Sequence, residues 1–245
     1  MPRFFIKADQ INESSLFIMG DDARHIARSL RMAVGDEITV CDGSGTEYIC
    51  HLSRIRDDRC DADITEKCTS QREPFTKITL YMAYPKSDKL ETVIQKSVEL
   101  GAYAIVPFES SRCIKRPSAD KAKERSVRLN RIAEEAAKQC GRAVLPRVHE
   151  PLSYKAMLSE ARCAEVAIFC YEGGGTRSLK QILDGCESAP TSISVIVGSE
   201  GGFSPDEAAA AEEAGFTMAN LGPRILRCET APDYALSAIS YRFEL

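Results

Sequence analysis

The sequence predicts an α/β fold, a mostly parallel sheet with helices on both faces, preceded by a smaller β-rich segment. Three observations carry this. From residue 78 onward, short apolar runs of strand length alternate with stretches of helical spacing, the rhythm of a parallel sheet. Ahead of that point, β-branched and aromatic residues sit between turn signals. Between the two lies KCTSQREPFTK, Lys67–Lys77, where composition turns polar and meets a proline. The boundary is placed there, giving domains of 1–72 and 73–245.

In the first part, EITVCDG, TEYICHL and HLSRI read as strands, with turns at VGDE and DGSG. DARHIARSLRM reads as one short amphipathic helix ahead of that hairpin. In the second part, ITLYMAYP is a strand. SDKLETVIQKSVELG is a helix with Ser87 as N-cap and Gly101 as its stop. AIVPFES is again a strand. SADKAKERSVRLNRIAEEAAKQCG sets Leu129, Ile132, Ala133, Ala136, Ala137 and Cys140 on one helical face, and Gly141 ends it. VAIFCYE, ISVIVG and TMANLG are further strands, with helical SLKQILDG and PDEAAAAEEAG between them. APDYALSAISYRFEL closes the chain as a helix.

Bulk properties narrow the class. At 245 residues, with 44% apolar and 28% charged residues, the chain has the composition of a soluble globular protein. No run reaches the length of a membrane span, and the N-terminal MPRFFIKADQINESS lacks a signal-peptide pattern, so a cytoplasmic protein is expected. The ten cysteines are scattered without a C-x-x-C pair, and the three histidines form no H-E-x-x-H. No metal is expected, and the thiols read as reduced and mostly buried. The net charge of −4 does not announce a nucleic-acid binder. Yet Ser111–Arg147 holds eleven Lys or Arg against four Asp or Glu, which is either a polyanion footprint or the solvated face of a helix.

Ligands of open α/β sheets bind at the carboxyl ends of strands. Three such ends are chemically unusual: CYEGGGTRS, Cys170–Ser178; GSEGGFSPDE, Gly198–Glu207; and LGPRILRCETAP, Leu221–Pro232. Their glycines allow a ligand to lie against the backbone. After the second loop, Ser204 is an N-cap, Pro205 the first helical residue, and Glu207 the partner in a capping box. Those amide donors are therefore occupied, unlike the free ones of a phosphate-binding helix. No Lys follows the glycines, and GSEGGF does not fit G-x-G-x-x-G, so neither a Walker A nor a dinucleotide loop is indicated.

Glu200 in the middle of that loop suits a ligand with positive charge or hydroxyl donors, such as S-adenosylmethionine; a local ion pair is the plain alternative. In the third loop, Ile225 and Leu226 would floor an adenine ring. A strand-end salt bridge and helix cap account for Glu229 and Thr230, but leave Arg224 and Arg227 without a cause.

VGSEGGFSPDE paired with LGPRILRCETA resembles the cofactor loops of the SPOUT methyltransferases. More narrowly, the chain resembles the RsmE family, which forms N(3)-methyluridine in 16S ribosomal RNA. The likeness runs from MPRFF through RHIARSLRMAVGDEITVCDGSG, KSDKLETVIQKSVELGA and RIAEEAAKQCGRAVLPRV. Lys86, Lys89, Gln95, Lys96, Glu99, Gly101, Glu135, Gln139, Arg142 and Pro146 stand where the family pattern has them. Ser199 replaces a usual proline and Cys228 a usual threonine.

The resemblance implies a small N-terminal PUA-like β-barrel that helps hold RNA and a C-terminal SPOUT domain whose chain forms a trefoil knot. It also implies a homodimer with the active site near the subunit interface, S-adenosylmethionine bound in the knot, and 16S ribosomal RNA or the small subunit as partner. Tyr171, Gly198, Glu200, Gly201, Gly202, Leu221, Gly222, Ile225, Leu226, Thr230 and Ala231 are the expected cofactor residues. Uracil must lose its imide proton to attack the methyl group, and the anion spreads onto two carbonyl oxygens. A planar guanidinium fits that charge, so Arg227 is the expected stabiliser. Glu200 or Glu229 would accept the proton if burial raised its pKa toward neutrality. Arg3, Arg28, Arg31, Arg112 and Arg142 are the candidate RNA contacts, with surface solvation as the plain reading of Arg28 and Arg31. Rival functions are a SPOUT enzyme acting on another RNA nucleoside, a non-catalytic RNA-binding assembly protein and, weakest, a dehydrogenase.

Overall fold

The structure, a computed structural model, describes residues 1–86, 89–114 and 119–245, with backbone alone for 119–123. Ser87, the expected N-cap, lies outside the described residues. The chain forms two units, Met1–Glu73 with Ala137–Leu145, and Pro74–Ala136 with Pro146–Leu245. A boundary at 72/73 thus differs from the structure in one respect, since the short stretch 137–145 returns to the first unit. The cause is local. The Glu73 carboxylate accepts from the Ala143 and Val144 amides at 2.8 and 3.0 Å and pairs with Arg142 at 2.8 Å.

The first unit is a five-stranded sheet of β1 (Arg3–Phe5), β2 (Ser15–Met19), β3 (Glu37–Cys41), β4 (Thr46–Ile55) and β5 (Arg59–Thr69), in the order β1-β3-β4-β5-β2. All pairings are antiparallel except β1 with β3. Ile18, Ile38, Val40 and Leu52 alternate inward and bury its core with Phe4 and Ile26. TEYICHL and HLSRI are halves of the one long strand β4. The expected helix over 22–32 is α1 (Asp21–Arg24), which widens over 25–29 so that the Leu30 amide bonds the His25 carbonyl at 2.9 Å.

The second unit carries β6 (Lys77–Ala83), α2 (Lys89–Glu99), β7 (Ala102–Glu109) and α3 (Ala119–Cys140), whose last turn enters the first unit. There follow β8 (Arg147–Val148), β9 (Leu152–Ser153), α4 (Tyr154–Ala161), β10 (Val166–Cys170), β11 (Arg177–Ser178) and α5 (Leu179–Asp184). The chain ends with β12 (Ser192–Val197), α6 (Pro205–Glu213), β13 (Thr217–Asn220) and α7 (Thr230–Phe243). The sheet order is β11-β13-β10-β12-β6-β7-β8, with β9 also on β7, and every pair is parallel. Such a sheet must be covered on both faces, which is why β6 and β12 read as nearly continuous apolar runs: Ile78, Leu80, Met82, Ile193, Val195 and Ile196 are all fully buried.

The strand order positions everything that follows. The neighbours β13, β10, β12, β6 and β7 run parallel and all end on the same side of the sheet. No helix among the described residues is long and apolar enough to cross a membrane.

Candidate active site

Where β10, β12 and β13 end, their loops enclose a cavity of about 540 Å³, in the range of cofactor sites. Each loop is built for close approach. After β12, Gly198–Gly202 folds into a tight turn closed by the Gly202 amide on the Ser199 carbonyl at 2.9 Å. Gly202 holds φ +62°, and a Cβ on Gly198 would press on the Phe203 ring at 3.1 Å. After β10, the backbone of Gly173 packs against the Tyr171 ring so tightly that a Cβ would sit 2.2 Å from it. After β13, Leu221–Arg227 wraps the open side and leaves Ile225 82% exposed.

The helix that follows the β12 loop is sealed. Ser204 Oγ accepts from the Glu207 amide at 3.2 Å, and Glu207 accepts from the Ser204 amide at 2.9 Å. The same Glu207 carboxylate takes the Ser111 amide at 2.7 Å. The capping box thus takes up the Ser204 and Glu207 amides, as the spacing of these residues led one to expect.

Glu200 sits at the tip of the turn. Both its oxygens accept from the Lys86 amide at 3.1 Å, and Oε1 pairs with Lys89 Nζ at 3.2 Å. Lys89 also pairs with Glu229 at 3.1 Å. Burial acts to raise the Glu200 carboxyl, but the hydrogen bonds and the Lys89 ammonium outweigh it and hold it below the usual carboxylate range. The same competition leaves Glu229 below that range, with the Cys228 thiol adding a hydrogen bond. Burial pushes that thiol up to about 12. Burial does not lift Glu200 or Glu229 toward neutrality: backbone hydrogen bonds first, with the Cys228 thiol at Glu229 and the Lys89 ammonium at both, hold the two carboxyls below their usual range.

Of the expected cofactor residues, Tyr171, Gly198, Glu200, Gly202, Leu221, Gly222, Ile225, Leu226 and Ala231 line the cavity, as does Arg227. Gly201 and Thr230 do not. Gly201 turns its carbonyl to Arg112, and the Thr230 amide is used by the Arg227 carbonyl at 2.9 Å as α7 begins. Arg224 and Arg227 are exposed on the wall, with no ion pair among the described residues. Glu172, Cys170, Asn220 and Lys89 also line the cavity and were not singled out as site residues. Lys89 matched the family pattern, but only the strand order brings it to both carboxylates.

The candidate RNA contacts divide. Arg3 is closed off, its side chain 8% exposed and paired with Glu47 at 3.1 Å. Arg142, 4% exposed, is committed to Glu73. Both stand in ion pairs within the first unit. Arg28 is exposed but paired with Asp57. Arg31 is exposed, in the left-handed region at φ 51°. Arg112 is exposed and donates to the Gly201 carbonyl. The positive stretch is likewise partly spent inside the protein, with Arg128 on Glu91 at 3.0 Å and Lys138 on Asp22 at 2.9 Å.

With this geometry in view, comparison with known proteins is decisive. The RNA methyltransferase domain family matches residues 71–240, and the RNA methyltransferase PUA domain family matches 18–65. Ribosomal RNA small subunit methyltransferase E of Bacillus subtilis is 36% identical over 251 residues, covering 100% of this chain and 98% of its own. The chain belongs to that methyltransferase E family. A Synechocystis member is 31% identical, with 99% of this chain and 78% of that one covered. Among solved structures, the Neisseria gonorrhoeae member bound to S-adenosyl methionine has a TM-score of 0.87 at 30% identity, covering 99% and 98% of the two chains. A Legionella pneumophila protein described as a methyltransferase, in complex with S-adenosylmethionine, has the same TM-score at 28% identity, covering 98% and 96%. The enzyme class and the two-part α/β architecture, with its PUA-like first unit, follow from this membership.

Proposed function

We propose that this chain transfers the methyl group of S-adenosylmethionine to the imide nitrogen of a uridine in 16S ribosomal RNA, working in the cytoplasm as a homodimer. The observation that carries the proposal is the cavity's division. Glu200 and Glu172 stand on its walls beside the glycine turn, while Arg224 and Arg227 stand on the open third loop. A sulfonium donor suits the carboxylates, and Ile225 and Leu226 offer apolar surface to an adenine ring. An electron-rich, anionic target suits the arginines.

The donor, when bound, supplies an already activated methyl group, so the protein's part is placement and charge stabilisation. Arg227 directs its guanidinium fork to the oxygens of the deprotonated uracil imide. Glu200 stays ionised and answers the donor's positive charge; the imide proton passes to solvent water, the methyl group bonds to the ring nitrogen as its bond to sulfur breaks, and S-adenosylhomocysteine leaves. The trefoil knot and the dimer come with the family resemblance; exposed Tyr234 and Tyr241 on α7 are surface a second copy would cover.

The test is mass spectrometry of 16S ribosomal RNA nucleosides from cells with and without the protein. N(3)-methyluridine should vanish with the protein and return with its expression. An unchanged level of that nucleoside, with another methylated base lost instead, would move the target while keeping the chemistry.

A further inference from the structure

One side chain joins the two loops that carry the cavity's polar wall. Lys89 opens α2 and reaches Glu200, from the loop after β12, at 3.2 Å and Glu229, from the segment after β13, at 3.1 Å. Among the described residues, no hydrogen bond or ion pair runs directly from residues 198–204 to residues 221–231. We propose that Lys89 is a positioning residue that ties the 198–202 turn to the 221–229 loop and so sets the width and charge of the cavity for its cationic donor. The inference rests on the methyl-donor reading of that cavity.

Lysine suits the task because its compact ammonium offers three donors, enough for two carboxylates arriving from different loops. Two carboxylates and one ammonium leave a single negative charge, the complement of one sulfonium. The Lys89 side chain is 35% exposed, and partly solvated pairs of this kind contribute little to global stability. Its removal should therefore be felt at the cavity more than in the fold.

The acid dependence of donor binding reports the same link. Glu200 faces Lys89 and the Lys86 amide directly, shares Lys89 with Glu229 and acts on Cys228 by charge, with Glu172, Arg224 and Arg227 around the cavity. With Lys89 present both carboxyls titrate below their usual range, so donor affinity is retained as pH falls and is lost only when it passes those lowered values. Removing Lys89 takes away one part of that hold, the backbone hydrogen bonds staying in place, so the loss begins at higher pH than in the wild type.

The experiment is calorimetric titration of the full chain with S-adenosylmethionine between about pH 3 and 8, for wild type, Lys89→Met and Lys89→Arg, with thermal unfolding of each unliganded protein. The midpoint for the methionine variant should move by no more than about 2 °C, while its Kd rises roughly tenfold and the acid limb shifts to higher pH. Lys89→Arg, which keeps the charge, should recover most of the affinity. Wild-type affinity and an unmoved acid limb in Lys89→Met would overturn the proposal, as would a loss of melting temperature in step with affinity. Failure of the wild type to bind the donor would overturn the methyl-donor reading itself.

Discussion

Arg112 donates from Nη1 to the carbonyl of Gly201 at 2.8 Å, so a cation from the loop after β7 braces the turn that carries Glu200. A charged donor to a carbonyl is among the stronger hydrogen bonds. Arg112→Ala should therefore weaken S-adenosylmethionine binding in the absence of RNA by roughly threefold to tenfold. Calorimetry without RNA separates this from any phosphate contact; unchanged donor affinity would leave Arg112 to RNA alone.

Gly173 is the most crowded glycine of the three loops. A methyl group there would lie 2.2 Å from the Tyr171 ring, closer than atoms can pack, so the ring must leave its place on the cavity wall. Gly173→Ala should lower donor affinity by at least about tenfold while the protein stays folded, because the loop carries little of the core. Titration calorimetry and far-ultraviolet circular dichroism check the two halves of that statement.

Arg3 and Arg28 should behave oppositely although both were candidates for RNA. Arg3→Ala leaves Glu47 enclosed without its partner and should cost about 3 kcal/mol in chemical denaturation, whereas Arg28→Ala, at a solvated surface pair, should leave the denaturation midpoint unmoved. Burial works to raise the Glu47 carboxyl, but Ser70 and Arg3 hold it below the usual range. Its contribution is thus present above the unfolded value near pH 4 and fades as acid carries the pH through the lowered folded value. The stability of Arg3→Ala should fall less steeply in that acid range.

These contrasts show where sequence reading reaches and where it stops. The alternation of β6, α2, β7, α3, β10, α5, β12, α6, β13 and α7 was legible because each is a run with its own period; Ser204, Pro205 and Glu207 form the capping box that their spacing implies. β5 was missed because Arg59–Thr69 mixes charges and cysteines into a strand whose pairing is set by β4 and β2, and β2 because Ser15–Met19 is only five residues long and pairs with β5 alone in its sheet. α4 was missed too, although Ser153 caps it with a bond from the Ala156 amide. The glycine loops and Glu200 stood out by composition. Lys89 did not, because its two partners lie more than a hundred residues away and only the order β13-β10-β12-β6 brings them together. Arg3 and Arg142 looked like surface cations for the matching reason, since their carboxylate partners are remote in sequence.

In the proposed function Arg227 carries the chemical step. Removing its guanidinium leaves the donor's carboxylates untouched but strips the developing uracil anion of its counter-charge. Arg227→Ala should lower kcat by about a hundredfold or more, with donor Kd changed by less than about threefold. Single-turnover methylation of a 16S ribosomal RNA substrate with labelled donor measures the first, and calorimetry the second; a variant as fast as wild type would remove Arg227 from the reaction.

The most direct measurement is a crystal structure of the protein grown with S-adenosylmethionine. Density for the donor should fill the cavity between Gly198–Gly202 and Leu221–Arg227, with the Glu200–Lys89–Glu229 link in place. A saturating soak that left both loops bare, or placed the donor elsewhere, would contradict the account.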